Sequence, residues 1–201
     1  MKAIALLLVW IFAGATSHAR ALDPRTSIPE FAQICGVRVG RDTMEHLENI
    51  LGHGLPQIGG HAHGARFWRV PHAGCDVHAD GFFYTERSRR VIDEISIYPL
   101  SRDARIPVAS FPRKQARFLG VVSLGMTREQ VLRTLKSTLP VPEADDDTLT
   151  WKSAGFFRVS RSNGVINREW KAILHFESGV LSEIQILGFS EYEPGINRVF
   201  P

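Results

Sequence analysis

Gly125-Met126-Thr127-Arg128-Glu129-Gln130-Val131-Leu132-Arg133-Thr134-Leu135 reads as a turn followed by a capped helix. Thr127 is placed to accept a hydrogen bond from the backbone N–H of Gln130, and the Gln130 side chain can reach back, forming a reciprocal capping box. Val131, Leu132 and Leu135 then make an apolar stripe at helical spacing. A fainter copy lies upstream, from Val39 to Leu51. In it Asp42 and Glu45 form the box, and Leu47 and Ile50 take the places of Leu132 and Leu135. This pairing of stretches predicts an internal duplication.

Outward from the helices the repeat continues. Val91-Ile92-Asp93-Glu94-Ile95-Ser96-Ile97 matches Val180-Leu181-Ser182-Glu183-Ile184-Gln185-Ile186 with a shift of 89, whereas the helices align with a shift of 85. Gly36-Val37 is echoed by Gly120-Val121, and Ser27-Ile28-Pro29 by Ser110-Phe111-Pro112. One long period seen twice points to duplication rather than a solenoid. The expected architecture is α+β: two tandem helix–helix–antiparallel-meander units, with helices packed on one face of the sheet. The units run over 22–98 and 110–201, joined by a Pro- and Arg-containing linker at 99–109.

In the first unit, Ser27 and Pro29 predict a short helix running to Cys35, with Gly36 ending it. Asp42 caps a second helix that Gly52 closes. Gly52 to Gly64 is a glycine- and histidine-rich loop. Strands are expected at Ala65–Val70, in one or two pieces over Cys75–Glu86, and at Val91–Tyr98. In the second unit they are expected at Thr148–Lys152, Gly155–Arg161, Arg168–Glu177 and Val180–Gly188. Turns fall at Ser162-Asn163-Gly164 and Ser178-Gly179.

Residues 1–21 read as a signal peptide. Lys2 is followed by an apolar run from Ala3 to Ala15, and Ala19-Arg20-Ala21 offers the small-x-small cleavage pattern, with Ala21 preferred over Ala19. The run is short for a membrane span, and no cysteine lies near it to carry a lipid. A periplasmic or secreted protein without a stable membrane anchor is therefore expected. Removing Lys2 and Arg20 from the 24 basic side chains leaves 22 against 21 acidic ones. That balance gives no electrostatic case for nucleic-acid binding.

Cys35 and Cys75 are the only cysteines. In an exported chain they predict one structural disulfide, closing a loop of roughly 40 residues and contributing about 2–4 kcal/mol. A catalytic thiol is the rival reading, which an oxidising compartment disfavours.

Alternation assigns the sheet faces. Trp170, Ala172, Leu174 and Phe176 share the core side, as do Val180, Ile184 and Ile186. Trp68 and Trp151 are placed in the core as well. The opposite face is assigned Phe67, Arg69, Ile92, Glu94 and Tyr98 in the first unit. In the second unit it takes Phe156, Arg158, Lys171, Ile173, His175 and Gln185. Aromatics mixed with Arg and few acids is the composition of a protein-binding surface.

The pattern Gly-Met-Thr-x-x-x-Val-Leu, a tryptophan-bearing strand and then Phe176-Glu177-Ser178-Gly179-Val180-Leu181 resembles the β-lactamase-inhibitor-protein and BamE (SmpA/OmlA) group. The resemblance implies tandem helix–helix–meander units whose sheets form a concave surface gripping a partner protein. The chain departs from the group in lacking a lipid-anchor cysteine and in having both cysteines in one unit. No partner surface carries over residue by residue.

The sequence also carries residues suited to two other functional classes. His53, His61, His63, His72 and His78, with Asp76 and Asp80 nearby, offer zinc or copper ligands, and His61-x-His63 on an extended segment would point two imidazoles one way. Their irregular, glycine-flanked spacing favours a polar loop. For an enzyme there is no nucleophile elbow, phosphate-cradling glycine motif or zinc-protease helix, and Asp145-Asp146-Asp147 lacks the alternation of a calcium loop. The sequence thus predicts a non-enzymatic, exported, monomeric or weakly associating module. It would bind another envelope or extracellular protein through Phe67, Arg69, Tyr98, Phe156, Arg158, Lys171, His175 and Gln185, without a cofactor. The alternative is a periplasmic metal-binding protein using the 53–78 loop, with His61 and His63 as ligands.

Overall fold

In the computed structural model, residues 28–57, 64–83, 90–109, 116–158 and 165–192 are described; 82–83, 90, 155–158, 165–168 and 189–192 are described by backbone alone. Two short strands, β1 (Gln33–Ile34) and β2 (Val37–Arg38), form a hairpin ahead of α1 (Met44–Leu51). There follow β3 (Leu55–Pro56), β4 (Arg66–Val70), β5 (Cys75–Phe83) and β6 (Arg90–Pro99). The second half has α2 (Arg128–Leu135), β7 (Glu143–Ala144), β8 (Thr148–Arg158), β9 (Val165–Glu177) and β10 (Val180–Tyr192).

Strands β3 to β10 make one eight-stranded sheet in the order β3-β4-β5-β6-β10-β9-β8-β7, antiparallel at every step. This corrects the expectation of two helix–helix–meander units: the molecule is mostly sheet and is not built from two helix-rich units. Among the described residues each half contributes one eight-residue α-helix. The helix expected from Ser27 to Cys35 is a single 3-10 turn, Glu30–Ala32, followed by the β1–β2 hairpin. Its turn is Cys35-Gly36, with φ of 53° and 80°. Two successive positive φ values are what a two-residue hairpin turn demands, so the glycine that would end a helix serves instead as the second turn residue. The Ser178-Gly179 turn repeats this geometry between β9 and β10, with φ of 51° and 78°.

The capping box at α2 forms as expected. Gln130 N–H donates to Thr127 Oγ1 at 3.3 Å, and Thr127 N–H donates to Gln130 Oε1 at 2.8 Å. In the first half the cap is Thr43, which accepts from His46 N–H at 3.2 Å. Asp42 instead accepts from the backbone of Arg38. The helices therefore correspond with a shift of 84, and the matched core residues are Leu47 with Val131 and Leu51 with Leu135, all buried. Leu132 is 39% exposed and does not belong to the buried stripe.

Strand pairing continues the correspondence. Thr43 bridges Val91 and Thr127 bridges Val180. Ile92 N–H donates to Asp42 C=O, and Leu181 N–H to Met126 C=O. The ladders shift register at Asp80/Gly81 against Glu94/Ile92 and at Leu181/Glu183 against Phe176/His175, leaving Asp93 and Ser182 as the extra residues. A bulge transfers every residue beyond it to the other face. Ile92 is accordingly buried in the core rather than on the open face, and Leu181 is buried where Val180 was expected; Val180 is 40% exposed.

The core is one cluster spanning both halves. Three buried tryptophans fasten the covering segments to the sheet through their indole N–H groups. Trp68 donates to Gly52 C=O, Trp151 to Pro140 C=O and Trp170 to Val39 C=O. The last bond is informative: Val39 belongs to the first half and Trp170 to the second. The 3-10 turn carrying Phe31 and Ala32 likewise packs on β9 and β10. The halves therefore share one core, and a cut in the linker would not release two separately packed units.

Several smaller expectations differ. Gly52–Gly64 and Pro140–Asp147 contain the two edge strands β3 and β7, and the pieces expected at 148–152 and 155–161 are one strand, β8. Residues 1–21, expected as a signal peptide, residues 84–89 and Ser162-Asn163-Gly164 lie outside the described residues.

Candidate functional site

Both helices lie on the core side of the sheet, with Leu47, Leu51, Val131 and Leu135 in the buried cluster. The opposite face is built from cross-strand rows that the register fixes. Its central row runs Leu55, Phe67, His78, Ser96, Gln185, Ile173, Thr150. One flanking row carries Arg69, Asp76 and Tyr98, and the other Asp80, Glu94, Leu187, Lys171 and Lys152. Glu183 and His175 are cross-strand partners beside the central row.

Phe67, Arg69, Tyr98, Lys171, His175 and Gln185 thus share the open face, as the sequence predicts for each. Phe156 and Arg158 lie on β8, opposite Asn167 and Val165, and their side chains are outside the described residues. Ile92 leaves the set because of the Asp93 bulge.

The expectation of few acids on this face is corrected by β5. Cys75, Val77 and Ala79 point to the core, so Asp76, His78 and Asp80 point the other way. That alternation is legible in the sequence once Cys75–Phe83 is taken as one strand.

Arg69 and Asp76 organise one end. Arg69 Nε donates to Asp76 Oδ1 at 3.0 Å and Nη2 to Asp76 Oδ2 at 3.2 Å, a bidentate pair. The same Nη2 donates to Ser101 C=O, while Ser101 N–H donates to Asp76 Oδ2 at 2.8 Å. Asp76 is wholly buried. Burial pushes its carboxyl up, and the Arg69 and Ser101 hydrogen bonds more than offset this, holding it below the usual carboxylate range. The network also fixes the start of the linker, whose Pro107 and Ala109 bond the β4 backbone at Arg69.

The centre is less compensated. Glu94 Oε1 accepts from Ser96 Oγ at 3.1 Å and from Gln185 Nε2 at 3.0 Å, tying β6 to β10. The His78 ring lies against Phe67 at 4.7 Å between centroids. Its Nε2 is buried with no hydrogen-bond partner. Burial lowers its pKa against the opposing pull of Glu94, Asp80 and Glu183. Tyr98 is raised well above the usual phenol range, first by burial and then by Asp76, Glu183 and Glu94.

Of the candidate metal ligands, the three that fall among the described residues, His53, His72 and His78, stand apart. His53 is exposed beyond α1, 3.9 Å from Glu48; His72 is on an exposed 3-10 turn; His78 is on the sheet. His61 and His63 lie outside the described residues. Among the described residues no group of three or more His, Cys, Asp or Glu side chains could hold a metal ion.

Cys35 and Cys75 are both buried and stand as free thiols. Burial raises both, Cys75 to about 11, and Cys75 adds electrostatically to the rise at Cys35, which places the two sulfurs in one neighbourhood.

Comparison with protein-family models, with curated proteins and with solved structures found no match for this chain.

Proposed function

We propose that this chain is an exported protein-binding module whose open sheet face is its contact surface. The observation that carries the reading is the composition of that face. Partly exposed Leu55, Phe67, Tyr98, Ile173 and Leu187 alternate with hydrogen-bonding and charged groups across strands joined by continuous antiparallel pairing on either side of the two bulges. A rigid surface of aromatic and aliphatic anchors set among polar groups is what specific protein contacts use. Inhibition of a partner enzyme is one form such binding takes. The internal duplication belongs to the same proposal: matched caps, bridges and bulges in the two halves support it, and it doubles the width of the face.

The test is capture from an envelope extract with immobilised protein, compared across the wild type and three variants. Phe67→Arg and Ile173→Arg place a charge on the open face, and Leu132→Arg places one on the exposed helix side. The reading requires a protein that is retained by the wild type and by Leu132→Arg, lost with the open-face variants, and bound again when purified. A partner retained equally by all the variants would remove the open face as the contact surface.

A further inference from the structure

The edge of the sheet carries a second inference, one that does not depend on the open face. The two halves match strand for strand across the joint. Leu55 pairs with Phe67 and Pro56 with Arg66 in the first half, as Glu143 pairs with Thr150 and Ala144 with Leu149 in the second. One residue beyond, Trp68 and Trp151 each donate an indole N–H to the segment that follows the helix of their half. Arg69 therefore corresponds to Lys152. Beyond β3, the edge of β4 is closed by the linker. Arg69 N–H donates to Pro107 C=O and Ala109 N–H donates to Arg69 C=O, both at 2.8 Å, which makes Arg69 and Val108 a parallel bridge.

The matching place on β8 is open. Backbone groups of successive residues point to opposite sides of a strand. Asp147 C=O accepts from Phe176 N–H and so faces β9, while Thr148 C=O accepts from Asp145 N–H and faces β7. Counting on by twos, Lys152, Ala154, Phe156 and Arg158 turn their N–H and C=O groups away from β9. The pairing with β7 reaches only to Thr150. Among the described residues no strand or backbone group meets Lys152 or Ala154 on that side, and both residues are exposed. The strands also differ in length past this point: β4 stops one residue after Arg69, whereas β8 runs on to Arg158. Such a row of unpaired backbone groups is a template for another strand.

We propose that the edge of β8 at Lys152 receives an extended segment of a partner protein as an added strand. The occupied edge of the first half specifies its chemistry. The segment runs parallel to β8, with one C=O accepting from Lys152 N–H and the N–H two residues on donating to Lys152 C=O. Proline is admitted at the first of these positions, where Pro107 stands in the first half, and excluded at the third, whose N–H is needed. The middle side chain is left in solvent, as Val108 is at 68% exposure, and the third is small and apolar, like the buried Ala109. Ala154 stands where the first half has Pro71, so its N–H offers the added strand a bond that the linker lacks. Main-chain bonds supply affinity in strand addition of this kind, and alternate side chains supply selectivity.

The test uses an acetylated, amidated peptide copying Ala104 to Ala109, at millimolar concentration, with the isotope-labelled protein. The tethered copy keeps its place on Arg69 through its high effective concentration. In the free protein, amide exchange should be slow at Trp151 and Ser153, which face β9, and fast at Lys152 and Ala154. The peptide should shift the Lys152 and Ala154 amides and slow their exchange, and a scrambled peptide should do neither. N-methylation of the residue standing for Ala109 should weaken binding at least about fivefold, the loss expected for one hydrogen bond. Ala154→Pro removes an outward N–H without touching the β9 ladder and should weaken binding to a similar extent, whereas Ala154→Thr keeps the N–H and should not. The N-methylated peptide decides the matter if Ala154→Pro alters the spectrum globally. No binding, shifts centred elsewhere, or equal binding of the scrambled or N-methylated peptide would each overturn the proposal. Slow exchange at Lys152 and Ala154 in the free protein would show the edge already closed and would overturn it too. Phe67→Arg should bind the peptide as the wild type does, so the edge and the open face succeed or fail separately.

Discussion

Ser96 on β6 and Gln185 on β10 are cross-strand partners at the joint where the two halves of the sheet meet. Their neighbours obey a reciprocal rule. Ile95 pairs with Ile186 and Ile97 with Ile184, so each pair becomes the other when 89 is added to the first-half number and subtracted from the second-half one. The joint is thus self-complementary in the way an isologous dimer contact is, although it lies within one chain. Glu94 and Glu183, matched by the same shift, therefore fall on opposite sides of the central row and point into the same open face.

The shared core predicts matched costs at matched positions. Ile95 and Ile184 are both wholly buried and correspond across the joint. Replacing either with alanine should destabilise the protein by about 2–5 kcal/mol. Urea denaturation followed by tryptophan fluorescence should show one cooperative transition in each variant. Two transitions would mean that the halves unfold independently, against the single core.

The Arg69–Asp76 pair predicts strong non-additivity. Asp76 is wholly buried, so Arg69→Met leaves a carboxylate without its counter-charge. It should lower the urea midpoint more than Asp76→Asn, and the double variant should recover part of the loss. The pH dependence has a definite sign. The folded carboxyl lies below its unfolded value, so the pair's contribution is present above about pH 4 and is lost as pH falls through the lowered folded value. Stability curves of wild type and Asp76→Asn should converge on acidification. Parallel curves down to the acid transition would contradict the assignment.

How much of this was readable in the sequence depends on which residues set the register. The α2 capping box, the core placement of Trp68, Trp151 and Trp170 and the last-strand match could be seen because each rests on local spacing. Two things could not. Asp93 and Ser182 are bulge residues, and nothing in simple alternation marks them; counting through them put Ile92 on the open face and Val180 in the core. In the first half, Asp42 and Thr43 both offer a capping oxygen, and the strand bridge from Thr43 to Val91 selects the second. The helix expected over 27–35 failed for a related reason, since Cys35-Gly36 suits a hairpin turn as well as a helix end. On the candidate site, reading Cys75–Glu86 as one or two pieces hid the alternation that places Asp76, His78 and Asp80 on the face.

The cysteine pair predicts a compartment-dependent mass. Both thiols are buried and neighbouring, with raised pKa values, so the native reduced protein should react slowly with iodoacetamide and rapidly after addition of urea. Protein recovered from an oxidising compartment should be two hydrogens lighter than after reduction, with the bond between Cys35 and Cys75. Loss of that bond should lower stability by about 2–4 kcal/mol. An unchanged mass on reduction would show that the thiols stay free in such a compartment.

His78 supplies a second pH signature, separable from that of Asp76. Burial holds its folded pKa below the unfolded value near 6.5, against the pull of Glu94, Asp80 and Glu183. A histidine depressed in this way is protonated more readily in the unfolded chain. Stability should therefore be constant above about pH 6.5 and decline as pH falls toward the lowered folded value. His78→Phe keeps an aromatic ring beside Phe67 and removes the titration, so it should abolish that slope while leaving the acid-side loss tied to Asp76. Glu94→Gln removes one of the charges that favour the imidazolium and should steepen the slope. Urea midpoints at intervals from pH 5 to 8, read for the three proteins, decide the matter. A slope that survives in His78→Phe would assign it to another group.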